Sequence, residues 1–238
     1  MIRTILALLF FALYAVCVGL PVMLFTALTG DKETLFRMGQ FCGVWTLRIA
    51  GVRTRAEGLE NIPAGTCLLV ANHASNTDPP AIVGVIPRRV AILLKKSLLS
   101  IPIVGSAFRM GDFIPVDREN AEEALGSINL AVKRAKGGLS FLAFPEGTRS
   151  RDGRLQPFKH GAFRMAIQAS IPIVPVACAG AHKILRRDSF CIRPGEIVVR
   201  FCPPIDAGAY QVAEKGELAR RVHEAIAEAL PPEQRPVR

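Results

Sequence analysis

Cys67-Leu68-Leu69-Val70-Ala71-Asn72-His73-Ala74-Ser75-Asn76-Thr77-Asp78-Pro79-Pro80 reads, in order, as a buried strand, an irregular turn and a helix start. A short unbroken apolar run is the pattern of a strand covered on both faces. His73 follows it where such a strand leaves its sheet, the usual place for a reactive group in α/β proteins. Asp78 comes five residues later, and five steps of regular helix turn through about 140° past a full circle. The two side chains therefore meet only across an irregular turn, and Ala74-Ser75-Asn76-Thr77 has the small polar character of one. An acid before proline is also a helix-start signal. Both readings of Asp78 stay open and are compatible, because one carboxylate oxygen can cap the helix while the other orients the imidazole. So placed, the aspartate would fix the tautomer of His73 and stabilise its protonated form, making a general base that needs no serine nucleophile. The plain alternative is a structural histidine beside a cap.

Outward from this stretch the same alternation continues. Short runs rich in Val, Ile, Leu and Phe near 66–71, 89–94, 139–144, 173–178 and 196–202 predict strands, and helices are predicted over 79–86, 97–109, 119–136, 158–170 and 215–230. Pro231-Pro232 ends the last helix, and a polar tail is expected beyond it. The fold class this predicts is α/β, a mixed and largely parallel sheet flanked by helices, with residues 51–238 as one folding unit.

Residues 1–50 differ in kind. No charge occurs between Arg3 and Asp31, long enough for a helix to cross about 30 Å of hydrocarbon. The run exceeds the apolar core of a signal peptide, and no convincing small-x-small cleavage site follows it. Gly19 and Pro21 sit near its middle, so a kinked or re-entrant segment competes with a straight span. From Thr34 to Ala50, Leu35, Met38, Cys42, Trp45 and Ile49 recur at helical spacing, which fits a helix at a membrane interface, one packed on the soluble domain, or both. Lys32, Arg37 and Arg48 outnumber Arg3, which places the bulk of the chain on the cytoplasmic side of the cell's inner membrane.

Thirty Lys and Arg against twenty Asp and Glu give a net charge of +10, suited to an anionic partner. With the greasy N-terminus and no zinc-finger, helix-turn-helix or aromatic-basic RNA motif, that partner is read as a membrane and not nucleic acid. The six cysteines are scattered without C-x-x-C spacing or a histidine at ligand distance, so no metal site and no disulfide framework is expected.

Three further stretches carry chemistry. Phe141-Leu142-Ala143-Phe144 is strand-like, and Pro145-Glu146-Gly147-Thr148-Arg149 follows as a loop in which Gly147 frees the backbone and Arg149 can bind phosphate bidentately. Taken alone, that tetrapeptide is as well a tight turn with a surface arginine. Gly111 to Arg118 offers Arg118 as a second phosphate or carboxylate contact, or a salt-bridged loop. Lys95 and Lys96 end a strand-like run and either face an anionic substrate or are a solvated pair.

In this order, N-H-x-x-x-x-D at 72–78, G-x-F-I-P-V-D-R at 111–118, F-P-E-G-T-R at 144–149 and I-P-I-V-P-V at 171–176 resemble the glycerolipid acyltransferases, most of all the bacterial 1-acylglycerol-3-phosphate acyltransferase branch. The resemblance implies His73 as general base with Asp78 its partner, and Glu146, Gly147, Thr148, Arg149 and Arg118, helped by Lys95, as the acceptor's phosphate site. It also implies an N-terminal helical anchor, a lysophospholipid acceptor, and acyl-CoA or acyl carrier protein as donor, with no cofactor and no metal. Rival expectations are another lysolipid acceptor such as a lyso-ornithine lipid, and a membrane-docked lipid-binding protein that transfers nothing. A hydrolase is disfavoured because no G-x-S-x-G elbow appears.

Overall fold

A computed structural model describes residues 1–117 and 120–237, so Arg118 lies outside the described residues. Its centre is a seven-stranded sheet in the order β1-β7-β6-β2-β5-β3-β4. The strands are β1 (Val52–Glu57), β2 (Leu68–Ala71), β3 (Val90–Lys95), β4 (Ile114–Val116), β5 (Ser140–Ala143), β6 (Ile173–Ala179) and β7 (Gly195–Phe201). Every neighbouring pair is parallel except β6 with β7. The sheet is thus mixed and largely parallel, as the sequence predicts.

The central strand shows why. All four residues of β2 are buried, and their alternation sends Leu68 and Val70 into one core and Leu69 and Ala71 into the other. On the first face lie α6 (Ala121–Lys136), α7 (Gly161–Ala169) and α9 (Lys215–Ala229), whose Ile128, Phe163, Met165, Leu218, Val222 and Ile226 fill the layer. Burying each of these large side chains is worth about 1.5–3 kcal/mol. The second face is covered by α3 (Lys32–Ile49) and α4 (Asp78–Val85) through Phe36, Leu47, Ala81 and Ile82.

Two strands lie outside the predicted set. β1 carries Arg53, Arg55 and Glu57 and sits at an edge, so it lacks the apolar run of an inner strand. β4 has three residues, one of them Pro115, at the opposite edge, where a missing backbone donor costs little. The helix predicted over 97–109 is interrupted. A 3-10 turn (Lys96–Ser100) and α5 (Val104–Met110) are separated at Pro102, which cannot continue a helix. Within β6, Pro175 is tolerated because its carbonyl already meets Cys202 N–H just past the end of β7, and its missing N–H falls on that same side.

At the N-terminus, α1 (Ile2–Tyr14) passes through a π-helical turn (Ala15–Gly19) into α2 (Leu20–Thr29), one helix of 28 residues with mean hydropathy 2.6. The widened turn absorbs Pro21, whose ring would otherwise strike the preceding turn, so the helix does not break there. Gly30, in the left-handed region at φ +76°, ends α2, and the Asp31 carboxylate caps α3 through Glu33 N–H (2.9 Å) and Thr34 N–H (3.1 Å). The chain then runs back, and Tyr14 donates its hydroxyl to Met38 O at 3.1 Å. A Cβ on Gly84 would lie 2.7 Å from Val44 Cγ2, so the Val44 side chain of α3 packs directly on the backbone of α4. Gln40 adds bonds to Val83 O (2.8 Å) and Ile86 O (3.0 Å).

Two ties hold the N-terminal helices to loops that lead into β7 and β4. Thr4 Oγ1 donates to Ile192 O (3.2 Å) and accepts from Ile192 N–H (3.1 Å). At the other end Lys32 meets Asp112 at 2.7 Å, with Arg89 and Arg134 around the same carboxylate. Burial would raise Asp112, but the bonds from Lys32 and Arg89 outweigh it and hold the group below its ordinary value. Between these ties Leu8, Leu9, Leu13, Leu24 and Leu28 face outward. The helix is long and apolar enough to cross a membrane.

Candidate active site

Because β2, β3, β4, β5 and β6 run parallel, their C-terminal ends share one edge of the sheet, and β2 lies where the strand order reverses. His73 leaves β2 there. Asn72, just before it, is buried and pairs twice with β6, giving Nδ2–H to Cys178 O (2.9 Å) and taking Cys178 N–H on Oδ1 (2.7 Å). That two-point bond fixes where the turn begins.

Across the turn, His73 Nδ1 lies 2.9 Å from Asp78 Oδ2. The same oxygen accepts Ala74 N–H (2.8 Å) and Ser75 N–H (2.7 Å), while Oδ1 receives the Cys178 thiol at 3.5 Å. Asp78 is the first residue of α4 and wholly buried. Its side chain binds backward into the turn and caps no helical amide, so the compatible double role expected for it gives way to one role. No capping is called for, because Pro79 and Pro80, the next residues of α4, have no N–H to offer, and the Asp78 amide itself donates to Ser75 O at 3.3 Å. Burial lifts the Cys178 thiol well above its ordinary value, so it meets the aspartate as a neutral donor. With Nδ1 committed to Asp78, Nε2 is the nitrogen left for a ligand, and the ring packs on Phe144 at 4.4 Å between centroids.

The loop after β5 is joined to this turn by main-chain bonds. Ser150 N–H donates to His73 O (2.8 Å), and His73 N–H donates to Glu146 Oε1 (2.8 Å). Glu146 is only 5% exposed, and its Oε2 has no partner among the described residues. Burial pushes its carboxyl up to about 8, with the amides of His73 and Gln156 pulling it back and Asp78 adding to the rise. Glu146 thus sits beneath the histidine as a brace. Gly147 adopts φ +76° and turns the chain, Thr148 is exposed, and Arg149 is half-buried with Nη1–H donating to Arg187 O at 3.1 Å. Arg187 returns the bond through Nη1–H to Arg149 O (2.9 Å). Lys95 is exposed at the end of β3, while Lys96 is engaged by Asp117 and Glu123.

Beside the turn opens a cavity of about 400 Å³, floored by Leu93, Val116, Ile128 and Phe144. Lys159 and Arg164 also line it. Lys159 lies over Gly147, where an added Cβ would come within 3.1 Å of its Cε, and sequence reasoning missed it because it belongs to none of the four motif blocks. The only signal was its place ten residues beyond Arg149, before the helix α7.

The expected polar tail is also partly buried. Gln234, 1% exposed, takes Gly180 N–H on Oε1 (2.9 Å), gives Nε2–H to Gly153 O (3.2 Å) and accepts Leu155 N–H on its carbonyl (2.9 Å). It thereby clamps the segment that follows Arg149 to the end of β6.

Carboxylate and imidazole thus meet at a sheet's switch point, and Phe144, on which the imidazole packs, also lines an apolar cavity that carries Lys159 and Arg164. A family model described as acyltransferase matches residues 53–179, more than half of the chain, and the chain belongs to that family of acyl-transferring enzymes. Its relatives point to one branch. The 1-acyl-sn-glycerol-3-phosphate acyltransferase of Limnanthes douglasii is 32% identical over 200 residues, covering 84% of this chain and 71% of that one. The protein of the same name from Escherichia coli K12 is 35% identical over 156 residues, 65% of this chain and 63% of its own. The crystal structure of the 1-acyl-sn-glycerophosphate acyltransferase PlsC from Thermotoga maritima superposes with a TM-score of 0.82 at 26% identity, covering 96% of this chain and 95% of that one.

Proposed function

We propose that the chain transfers a fatty acyl group from an acyl thioester, on coenzyme A or acyl carrier protein, to the sn-2 hydroxyl of 1-acyl-sn-glycerol 3-phosphate, giving phosphatidic acid. The observation that carries this is the 2.9 Å contact between His73 and Asp78, with the His73 imidazole packed on Phe144, a residue that lines the apolar cavity. His73 Nε2 takes the proton of the hydroxyl as its oxygen attacks the thioester carbonyl. The tetrahedral oxyanion then collapses, the C–S bond breaks, and the imidazolium returns the proton to the departing thiolate. Asp78 stabilises the imidazolium in between. No acyl-enzyme forms and no cofactor or metal takes part.

Developing charge on the carbonyl oxygen needs donors. The Gly147 amide is already given to Phe144 O at 3.1 Å, so the ammonium of Lys159 over the same turn is better suited. One guanidinium donor of Arg149 is spent on Arg187 O, and the rest of its fork, with Arg118, Thr148 and Lys95, serves the phosphate. Glu146, in this reading, shapes that site from beneath by holding the histidine turn.

Both substrates carry acyl chains, and keeping a chain in hydrocarbon avoids roughly 0.8 kcal/mol per exposed CH₂. The outward leucines of α1 and α2 provide the docking, with the helix lying in the cytoplasmic leaflet because its ends are tied to loops that lead into the sheet. The test is acceptor-dependent thiol release with both donors across a panel of lysolipids. Turnover of a lyso-ornithine lipid but not of lysophosphatidic acid would move the assignment to that acceptor, and release of free fatty acid alone would make the chain a hydrolase.

A further inference from the structure

Phe190 is 92% exposed, more than any other large apolar side chain described. One exposed apolar side chain is ordinary, but one that extends a neighbouring apolar surface marks a face that meets something apolar. The loop that carries it leaves α8 (Ala181–Ile184) and is closed at its base by Arg193 N–H donating to Ile184 O at 2.8 Å. It holds Arg186, Arg187 and Arg193 against a single acid, Asp188.

Three contacts give the loop its meaning. At its start, Leu185 O accepts the hydroxyl of Ser75, a residue of the His73–Asp78 turn, at 2.8 Å. In the middle, Arg187 and Arg149 exchange hydrogen bonds, each guanidinium to the other's carbonyl. Near its end, Ile192 is held through both N–H and C=O by Thr4 in the first turn of α1. Phe190 is two residues from Ile192, a reach of about 7 Å at most. The exposed Met1, Ile2 and Ile5 belong to the turns of α1 around Thr4.

We propose that this loop, residues 185–193, is a second membrane contact: Phe190 enters the acyl layer of an anionic bilayer beside the first turns of α1, with the three arginines at the headgroups. Apolar tip, basic flank and continuity with the apolar helix all fit a lipid surface, and aromatic rings settle at the headgroup boundary. A protein partner would not explain the bond to α1. Because Arg187 also holds Arg149, seating the loop sets the guanidinium that meets the lysolipid at the same surface. That last step rests on the function proposed above, whereas insertion of the loop does not.

Phe190→Trp in a Trp45→Phe background leaves one indole, since the chain has a single tryptophan. On vesicles of phosphatidylcholine with phosphatidylglycerol its emission should move to the blue and be quenched by brominated acyl chains. Unshifted, unquenched emission from protein that sediments with the vesicles would overturn the proposal. Phe190→Ser should weaken vesicle binding roughly tenfold. It should raise KM for acceptor presented in bilayers by a similar factor, and leave turnover of a short-chain acceptor dissolved below its micelle concentration within about twofold. Equal loss on dissolved and bilayer acceptor would overturn the coupling to Arg149. The fluorescence needs no turnover, so a chain inert toward lysolipids would still show whether the loop enters the bilayer.

Discussion

The central strand β2 and the helix α1–α2 are both strongly apolar, and they use that character in opposite ways. In β2 every side chain is covered by protein, and each alternate residue belongs to a different core. In α1 and α2 the leucines face away from the protein while only Thr4, Ala7 and Thr26 are buried. The buried residues of that helix are small or polar and its leucines face outward, the reverse of a helix in water. A strand like β2 reports the protein's own interior, whereas a helix like α1 reports the medium outside it.

The largest effect should come at the end of β2. His73→Ala is expected to lower acyl transfer by about 10²- to 10⁴-fold, read as acceptor-dependent thiol release, with the melting temperature nearly kept because the imidazole makes only one hydrogen bond. A loss under tenfold would reduce the dyad to architecture.

A matched pair tests the comparison itself. Leu69→Ala in β2 should cost about 2–5 kcal/mol of stability in denaturant titrations. Leu9→Ala on α1 should change stability in detergent by less than about 0.5 kcal/mol while weakening binding to lipid vesicles. Similar costs at both positions would mean that α1 is an ordinary core helix.

The carboxyl of Glu146 gives a signed pH effect. Its folded pKa, about 8, lies above the ordinary carboxylate value of 4.5, so the folded state binds the extra proton between those limits. Stability then falls as pH rises from about 4.5 to about 8. Glu146→Gln keeps an acceptor for His73 N–H and removes the titration, so its stability should vary less across that window than the parent's. Parallel curves would place the buried proton elsewhere.

Gln234→Ala removes the bonds to Gly180 and Gly153 and should cost about 1–3 kcal/mol. Through the loosened segment after Arg149 it should raise KM for acceptor more than for donor, which steady-state kinetics with each substrate varied would show.

Much of this was legible from residues. Apolar runs located the inner strands within a residue or two, since burial on both faces leaves an unbroken signature in sequence. The edge strands β1 and β4 escaped because an edge tolerates charge and proline, which erases that signature. Residue types and spacing offered His73 and Asp78 as a pair, but could not tell that one carboxylate oxygen would take three donors and leave α4 uncapped. Gln234, Lys159 and the reciprocal bonds of Arg149 and Arg187 lie far from the dyad in sequence and obey no periodicity. Such contacts follow from how loops meet at a sheet edge, which is a property of topology and not of local pattern.

The clamp made by Gln234 has an implication for biosynthesis. Everything it grips, from Gly153 to Gly180, is polymerised earlier than Gln234 itself. During translation the segment behind Arg149 must wait, unfastened, until α9 has been made and has packed against the sheet. A nascent chain can therefore complete its N-terminal helix and the His73–Asp78 turn before this last fastening exists, and the segment after Arg149 is finished late.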